Sequence, residues 1–456
     1  MSISANITEL GTRPVGKLLW KYAMPAVIAM TASSLYNIID AIYIGQGVGT
    51  MGIAGVSLSF PVMQVTTAFG AMVGVGASTL LSVKLGEKDY ESARNILGNV
   101  LVMNIIMGIA IGTLMMVFLD PILYLFGASE HTVSYARAFM QVILLGNVVT
   151  HLYYGMNNLL RASGHPRQAM VATIASVLFN TALAPLFIYV FDWGIKGAAA
   201  ATVLSQALTL LWQIHLLSDK REFIHFRKGI YRLQGRIVWG TLAIGLSPFL
   251  MNLCSCLVTI LYNWSLAHYG GDLEIAAYGI ALRLSFLFCM IVMGLNQGMQ
   301  PIAGYNFGAR RYGRMRRSLV NTSLVATVVM VVGFAISQLF PEACARAFTD
   351  DPALVASSAR AIRLLFLAFP IIGFQMVTIN FFQCIGKVKV SIFLSMTRQL
   401  LMLIPLIYFL PLHFGLEGIW YSAPVSDALS TFLTSFFLVY ALRKFRDSSS
   451  TSSSIS

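Results

Sequence analysis

Long apolar stretches run through this chain, and charged residues rarely interrupt them. The hydrocarbon core of a bilayer takes about 20 apolar residues per helix, so stretches of this length predict membrane-spanning helices. The first half provides six spans, because the stretch 41–83 is too long for a single crossing and "GQGVGTMG" (45–52) supplies a turn. Its uncharged stretches are 22–39, 41–83, 95–119, 138–160, 168–191 and 197–218.

The second half repeats this pattern. Four uncharged stretches, and two apolar ones interrupted by Arg398 and Asp427, predict six further spans at 237–271, 284–309, 318–341, 364–386, 389–411 and 417–442. Lipid offers no hydrogen-bond partner to an open backbone, and such long runs lack the short alternation of barrel strands. We therefore predict an all-α, polytopic membrane protein with 12 transmembrane helices, numbered here as spans 1 to 12.

The loops between the spans differ in charge. Basic residues precede span 1 and follow each even-numbered span, most densely in 219–236 and 307–317, whereas acids such as Asp120, Asp192 and Glu342 lie in the other loops. Because basic residues near span ends are retained in the cytoplasm, we expect both termini to be cytoplasmic and the chain to lie in the inner membrane. The net charge of +13 then reflects topology, and no nucleic-acid partner is expected.

Composition excludes several classes of protein. With 57% hydrophobic and 11% charged residues, the chain is not a water-soluble domain. It contains no H-E-x-x-H or G-x-S-x-G motif and no Walker A loop, so we expect neither an enzyme nor a primary pump. The five cysteines form no CxxC pair. We expect no cofactor.

The two halves of the chain are similar in sequence. A shift of about 220 residues places Pro25 on Pro248, Gly76 on Gly298 and further matching residues on each other to the end. Six helices per half give both copies the same orientation, so the lobes should be pseudo-symmetric about the membrane normal and face a central cleft. We expect an N-terminal lobe at 1–218, a basic cytoplasmic loop at 219–236, a C-terminal lobe at 237–445 and a disordered Ser-rich tail at 446–456.

Several motifs carry a family resemblance over nearly the whole chain. They are the D-x-x-x-x-G end of span 1 (40–45), "GVGAST" (74–79), "KLGEKDYESA" (84–93), "NNLLRASGHP" (157–166) and "GMQPIAGYNFGARRYGRMRR" (298–317). The chain thereby resembles the multidrug and toxic compound extrusion (MATE) family, in particular its bacterial DinF-type and MepA-like branch. The resemblance implies a V-shaped fold and the export of organic, often cationic, compounds by alternating access. Export would be coupled to inward flow of H⁺ or Na⁺, and the partners expected are small organic substrates and membrane lipid, with a monomeric chain.

One acid lies deep in span 1. Asp40 follows Lys21 by 19 residues, and at about 1.5 Å per residue this places it in the outer half of the span, too deep for its side chain to reach water. An intramembrane charge costs roughly 3 kcal/mol on insertion scales and is therefore a functional candidate. The alternative interpretation is a neutral, hydrogen-bonded packing group.

The resemblance also implies partners for this acid. Asn180 and Thr202 match polar positions of the family, and Tyr36 and Asn37 complete the candidate coupling-ion set around Asp40. Their oxygen atoms suit Na⁺, and burial can instead favour a proton on the carboxylate. Archaeal members have a second Asp where this chain has alanine, in "FNTALAP" (179–185). The loss of one carboxylate favours H⁺ and leaves Na⁺ at Asp40 as the alternative, with no other metal expected.

Span 4 has an unusually polar second half. Helical spacing places Asn147, His151 and Tyr154 on one face, and Asn157 matches a drug-cleft position of the family. With Gln206 of span 6, these residues form the candidate substrate cleft. The alternative interpretation is a seam of hydrogen bonds between helices.

The second half carries three intramembrane charges of its own, Arg283, Arg398 and Asp427. Arg398 and Asp427 lie at similar predicted depths and can form a buried pair, which would act either as a structural salt bridge or as a second coupling site. A flippase of the same superfamily, which moves a lipid-linked saccharide, is the alternative function. It would need cations in the cleft for a pyrophosphate, and Arg283 and Arg398 are the candidates.

Overall fold

The structure is a computed structural model that describes the backbone of residues 5–126 and 130–453. Side chains are described throughout these ranges except at 5–6, 37–38, 50, 272 and 444–453. All regular elements in the described ranges are helices, which confirms the predicted all-α class. Within these ranges, eleven helices are long and apolar enough to cross a membrane, and one bent pair of helices, counted as a single span, brings the number to 12.

The observed helices follow the predicted order of spans, with a short helix Ala5–Thr12 before them. Spans 1 to 6 are Val15–Gly47, Thr50–Gly86, Tyr90–Val117, Val133–Leu145 with Asn147–Ala162, Pro166–Pro185 with Leu186–Val190, and Gly194–Leu217. Spans 7 to 12 are Gly235–Tyr269, Gly271–Gly308, Tyr312–Leu339, Pro352–Leu365 with Phe366–Ala368 and Phe369–Cys384, Val388–Met396 with Thr397–Leu403 and Ile404–Phe414, and Leu416–Ser453. Short helices Leu119–Leu125 and Pro341–Arg346 follow spans 3 and 9.

Spans 4, 5 and 11 are irregular. Span 4 bends by 55° between its two segments at Gly146, where a Cβ atom would overlap the side chain of Val203 in span 6. Pro185 directly precedes the π-helical segment Leu186–Val190 in span 5, and Pro405 lies two residues after the π-helical segment Thr397–Leu403 in span 11. Proline has no backbone N–H, so the hydrogen-bond ladder shifts locally at both places.

The buried apolar side chains form clusters that largely follow the two halves. Two clusters consist almost entirely of first-half residues, and the third is built from the second half together with the beginning of span 1, including Leu18, Leu19 and Tyr22. Span 1 therefore starts inside the core of the second half. Farther along, its Tyr36 contacts spans 5 and 6 of the first half.

The halves approach each other most closely through glycines of spans 2, 7 and 8. A Cβ atom on Gly76 would overlap the carbonyl oxygen of Thr241, and one on Gly245 would overlap that of Met72. Because a Cβ atom is absent at both positions, spans 2 and 7 pack backbone against backbone. These contacts lie toward the end of the molecule from which the basic loops emerge, called here the basic end.

The short helix Ala5–Thr12 bridges the halves at the basic end. Its Ile7 is buried in a first-half cluster, and its Leu10 is buried in the second-half cluster. Asn306 donates from Nδ2 to the Leu10 carbonyl at 3.0 Å, and Arg314 donates to the same oxygen at 3.3 Å. Arg311 donates to the Gly11 carbonyl. The last carbonyls of this helix, which lack partners within it, are therefore held by the end of span 8, the loop after it and the start of span 9.

The last helix extends farther than the composition predicts. It runs to Ser453, through most of the Ser-rich segment for which we expect disorder, and residues 454–456 lie outside the described part of the chain. A helix that is already formed adds residues without a new nucleation step, so span 12 can continue into a sequence of weak intrinsic propensity.

Candidate functional site

Three of the predicted coupling-ion residues meet between spans 1, 5 and 6. The Tyr36 hydroxyl and Thr202 Oγ1 are 3.0 Å apart. Asn180 donates from Nδ2 to Thr202 Oγ1 at 3.1 Å and to the Tyr36 hydroxyl at 3.5 Å. Asn180 is buried, and Thr202 also donates to the Ala198 carbonyl one helical turn back. The structure thus joins side chains that the sequence separates by 166 residues.

Asp40 lies one helical turn beyond Tyr36 on the same helix. Its side chain is only 9% exposed, and its Oδ1 atom has no hydrogen-bond partner among the described residues. A buried carboxylate without a partner is unfavourable unless a proton or cation neutralises it. Asn37 is in the predicted set, but its side chain lies outside the described residues.

The family resemblance implies a second acid in archaeal members at the position that is Ala184 in this chain. Ala184 is fully buried among apolar residues such as Ile44 and Phe187. Among the described residues, no group of three or more His, Cys, Asp or Glu side chains is arranged to hold a metal ion. The chemistry available at this site is therefore that of one carboxylate with hydroxyl and amide neighbours.

The polar residues of span 4 bond to neighbouring helices. Asn147 is buried and donates from Nδ2 to the Gly108 carbonyl of span 3 at 3.0 Å. His151 Nε2 lies 3.0 Å from the Thr66 carbonyl of span 2. Asn157 donates to the Ala169 carbonyl of span 5 at 2.9 Å. All three are hydrogen bonds between helices, as expected under the alternative interpretation of span 4.

Tyr154 and Gln206 are placed differently. Tyr154 is 38% exposed, although His151 and Asn157 on the same helix are buried. Gln206 is half-buried, and its Oε1 accepts a hydrogen bond from Thr150 at 2.6 Å, which joins spans 4 and 6. Of the five predicted cleft residues, Tyr154 is therefore the one whose side chain is most open to a ligand.

The predicted pair in the second half is present. Arg398 Nε and Asp427 Oδ1 are 2.7 Å apart, and the side chain of Asp427 is buried. Ser426 donates to the Arg398 carbonyl at 3.0 Å, which ties span 12 to the π-helical segment of span 11. Arg283 is exposed on span 8 and forms no ion pair with a described residue. The structure thus separates the three charges into a pair and a single cation.

Two further polar residues with hydrogen bonds inside the protein, Gln300 and Arg161, are not among the predicted site residues. Gln300 of span 8 donates from Nε2 to Ser78 Oγ and Thr79 Oγ1 of span 2, both at 2.7 Å. The repeat alignment places Ser78 on Gln300, so these two residues occupy equivalent positions in the two halves and bond to each other. Polar residues at equivalent repeat positions are the sequence signal that could have predicted this contact. Arg161 is buried and donates to Asn157 Oδ1 at 3.0 Å, although the charge pattern assigns it to a loop.

Comparison with known proteins identifies relatives over most of the chain. A profile of the MatE family matches residues 25–186 and again residues 248–409, once in each half. The chain is 28% identical over 435 residues to the multidrug export protein MepA of Staphylococcus haemolyticus (strain JCSC1435), with 94% of each chain covered. It is 27% identical over 430 residues to MepA of Staphylococcus aureus (strain NCTC 8325 / PS 47), again with 94% of each covered.

Solved structures share the fold. One is a multidrug resistance MATE family transporter of the MOP superfamily in an outward-facing conformation, with a TM-score of 0.92 and 25% identity over 98% of this chain and 99% of that one. Another is a MOP superfamily transporter from Pyrococcus furiosus Vc1, with a binding pocket described as having reverse polarity that suggests a different function. It matches with a TM-score of 0.92 and 25% identity over 98% of this chain and 100% of that one.

Proposed function

Because the chain belongs to the MatE family of membrane transporters, we propose that it exports organic, often cationic, compounds across the inner membrane in exchange for H⁺. The family relationship makes it a transporter and not an enzyme, and its relatives named MepA are multidrug export proteins. The choice of ion and the residues that bind it are our proposal.

The observation that carries this proposal is the buried Oδ1 atom of Asp40, which has no hydrogen-bond partner among the described residues. Asp40 takes up the driving cation beside Tyr36, Asn180 and Thr202, which are already hydrogen-bonded to one another. Occupancy of the carboxylate changes the packing of span 1 and thereby biases the protein between outward-facing and inward-facing states. A ligand shifts such an equilibrium only by its different affinity for the two states.

A proton suits this site better than Na⁺. Sodium is a hard cation that takes several oxygen ligands, and carboxylates are the strongest of these. The site supplies one carboxylate, because Ala184 occupies the second acidic position of the archaeal relatives and is fully buried. The amide nitrogen of Asn180 and the hydroxyls of Tyr36 and Thr202 are hydrogen-bonded to one another. A proton needs only the one carboxylate.

The substrate binds in the cleft between the lobes, and Tyr154 contributes to its wall from span 4 because it is exposed. Asn147, His151 and Asn157 hold the bent span 4 in place through their interhelical bonds. Gln206 holds span 6 against the same helix. We expect a monomer surrounded by lipid, with both termini in the cytoplasm.

The flippase alternative has less support from the charges. A pyrophosphate-linked substrate needs uncompensated cations in the cleft, and Asp427 neutralises Arg398 at 2.7 Å. Of the two candidates, only Arg283 has no ion-pair partner among the described residues. One exposed arginine is a weak site for a doubly charged group.

The experiment is dye efflux from proteoliposomes under an imposed pH gradient and, separately, under an imposed Na⁺ gradient. We expect efflux under the pH gradient with the native protein and loss of gradient-driven efflux in Asp40→Asn, which keeps the shape of the side chain but not its charge. The matched control is Asp192→Asn, because Asp192 is exposed in the loop after span 5 and its positive φ of 56° suits asparagine.

Three results would change this proposal. Efflux that follows only the Na⁺ gradient would replace H⁺ by Na⁺ at the same carboxylate. Wild-type efflux by the Asp40→Asn variant under either gradient would show that Asp40 is a packing residue. Transport of lipid-linked saccharide analogues in place of dye cations would favour the flippase.

A further inference from the structure

A cavity of about 730 Å³ opens at the basic end, between the start of span 1 and the connection from span 4 to span 5. Arg13, Lys17 and Lys21 line one side, and His165 and Arg167 line the other. The cavity is separate from the proposed coupling site, since Asp40 follows Lys21 by 19 residues along span 1. Nothing in the proposed transport cycle uses it.

The charges around this cavity are not balanced. Glu9 pairs with Lys21 at 2.6 Å and with Arg13 at 3.3 Å, and the hydrogen bond from Lys21 holds the pKa of Glu9 below its ordinary value. Lys17 and Arg167 are exposed and form no ion pair with a described residue. Two carboxylates lie near the cavity, Glu9 and Glu222 beside His165, and they leave the four Lys and Arg side chains of its wall in excess. A concave site with an excess of one charge sign concentrates ions of the opposite sign.

The backbone and an aromatic side chain add to this preference. Span 5 begins at Pro166, which lines the cavity, and the side chain of His165 does not cap this helix. The positive end of the helix dipole therefore faces the cavity. His165 instead lies 3.1 Å from Glu222. Trp20 lines the cavity and is 69% exposed, as is usual for tryptophan at the level of lipid headgroups.

We propose that this cavity binds an anionic phosphate group. The bound group bridges segments that pack into different cores, because Leu18 and Leu19 of span 1 lie in the second-half cluster whereas Ala169 of span 5 lies in a first-half cluster. Binding stabilises the arrangement in which the halves meet at the basic end. The phosphate group can be supplied by the headgroup of an anionic phospholipid or by free phosphate.

The test measures binding to the purified, delipidated full-length protein in detergent, so it does not depend on transport activity. Native mass spectrometry and the thermal midpoint are recorded with phosphatidylglycerol, with phosphatidylcholine and with inorganic phosphate alone. The cavity variant is Lys17→Gln with Arg167→Gln. The matched control is Arg227→Gln with Lys228→Gln, which removes the same charge from two exposed residues of the loop 219–236.

We expect the native protein and the control to retain phosphatidylglycerol in preference to phosphatidylcholine, and the cavity variant to bind it about thirtyfold more weakly, the effect of two basic residues near a membrane surface. Competition by inorganic phosphate, lost in the cavity variant, would identify free phosphate as the ligand. Equal weakening in the cavity variant and the control would overturn the proposal, as would equal retention of both lipids by the native protein. The single variant Arg167→Gln repeats the comparison with span 1 unchanged.

Discussion

Two buried acids, Asp40 and Asp427, differ in their partners, and this difference separates their roles. Asp427 lies 2.7 Å from Arg398, whereas the Oδ1 atom of Asp40 has no hydrogen-bond partner among the described residues. A paired acid keeps its charge and position, and an unpaired buried acid must gain a proton or a cation. The pair is therefore suited to structure, and Asp40 to ion exchange.

The pair makes a prediction about non-additive substitution. Arg398→Ala leaves Asp427 buried and uncompensated, which costs about 3–5 kcal/mol when one partner of a buried pair is removed. The double change Arg398→Ala with Asp427→Ala removes both charges, so we expect it to be less destabilising than the single change. Thermal unfolding and dye efflux of the two single variants and the double variant measure the coupling. Additive losses would mean that the two residues act independently.

Among the helices, the closest contacts depend on glycines, which have no Cβ atom. Spans 2 and 7 approach until Gly76 and Gly245 each lie against a carbonyl oxygen of the other helix. Gln300 adds hydrogen bonds between spans 8 and 2. Small residues allow such approach in membranes, where packing and hydrogen bonds replace the hydrophobic effect as the force between helices.

We expect Gly245→Ala to separate spans 2 and 7, because its methyl group would overlap the Met72 carbonyl. Overpacking of this kind costs about 1–3 kcal/mol, so the thermal midpoint should fall and dye efflux should decrease. The control is Gly279→Ala on span 8, where a Cβ atom meets nothing within 4 Å. Equal effects of the two substitutions would show that the contact between spans 2 and 7 does not limit stability.

Across the whole molecule, the halves are joined at the basic end by three kinds of contact. Span 1 begins in the core of the second half, spans 2 and 7 pack at their glycines, and the helix Ala5–Thr12 is held by Asn306 and Arg314. The fold agrees with that of an outward-facing MATE transporter at a TM-score of 0.92. We expect that opening toward the basic end breaks these contacts together.

The charge pattern predicts which side of the membrane this end faces. A reporter fused after Lys228 should be cytoplasmic, and one inserted at position 272 should be external, because the basic loops are retained inside. Reporter activity in intact cells and accessibility to a membrane-impermeant reagent distinguish the two sides. Both reporters on one side would contradict the order of 12 spans.

The sequence alone determined the all-α class, the spans, the internal repeat and the family, all of which the structure and the comparisons confirm. It also selected Asp40, because the depth of a charge in an apolar run can be counted along the chain. These properties are local or periodic. Hydropathy, loop charge and motif spacing do not depend on which helices become neighbours.

The bonding partners of the polar side chains depend on the tertiary structure. His151 meets a carbonyl 85 residues away, and Asn306 meets one 296 residues away, so neither bond can be read from nearby sequence. Helical spacing predicts that one face of span 4 lines the cleft. On that face Asn147 and His151 form interhelical hydrogen bonds, while the side chain of Tyr154 is exposed. A polar residue in a membrane helix can bond to whichever helix packs beside it, and that choice depends on the close approach of backbones across the whole fold.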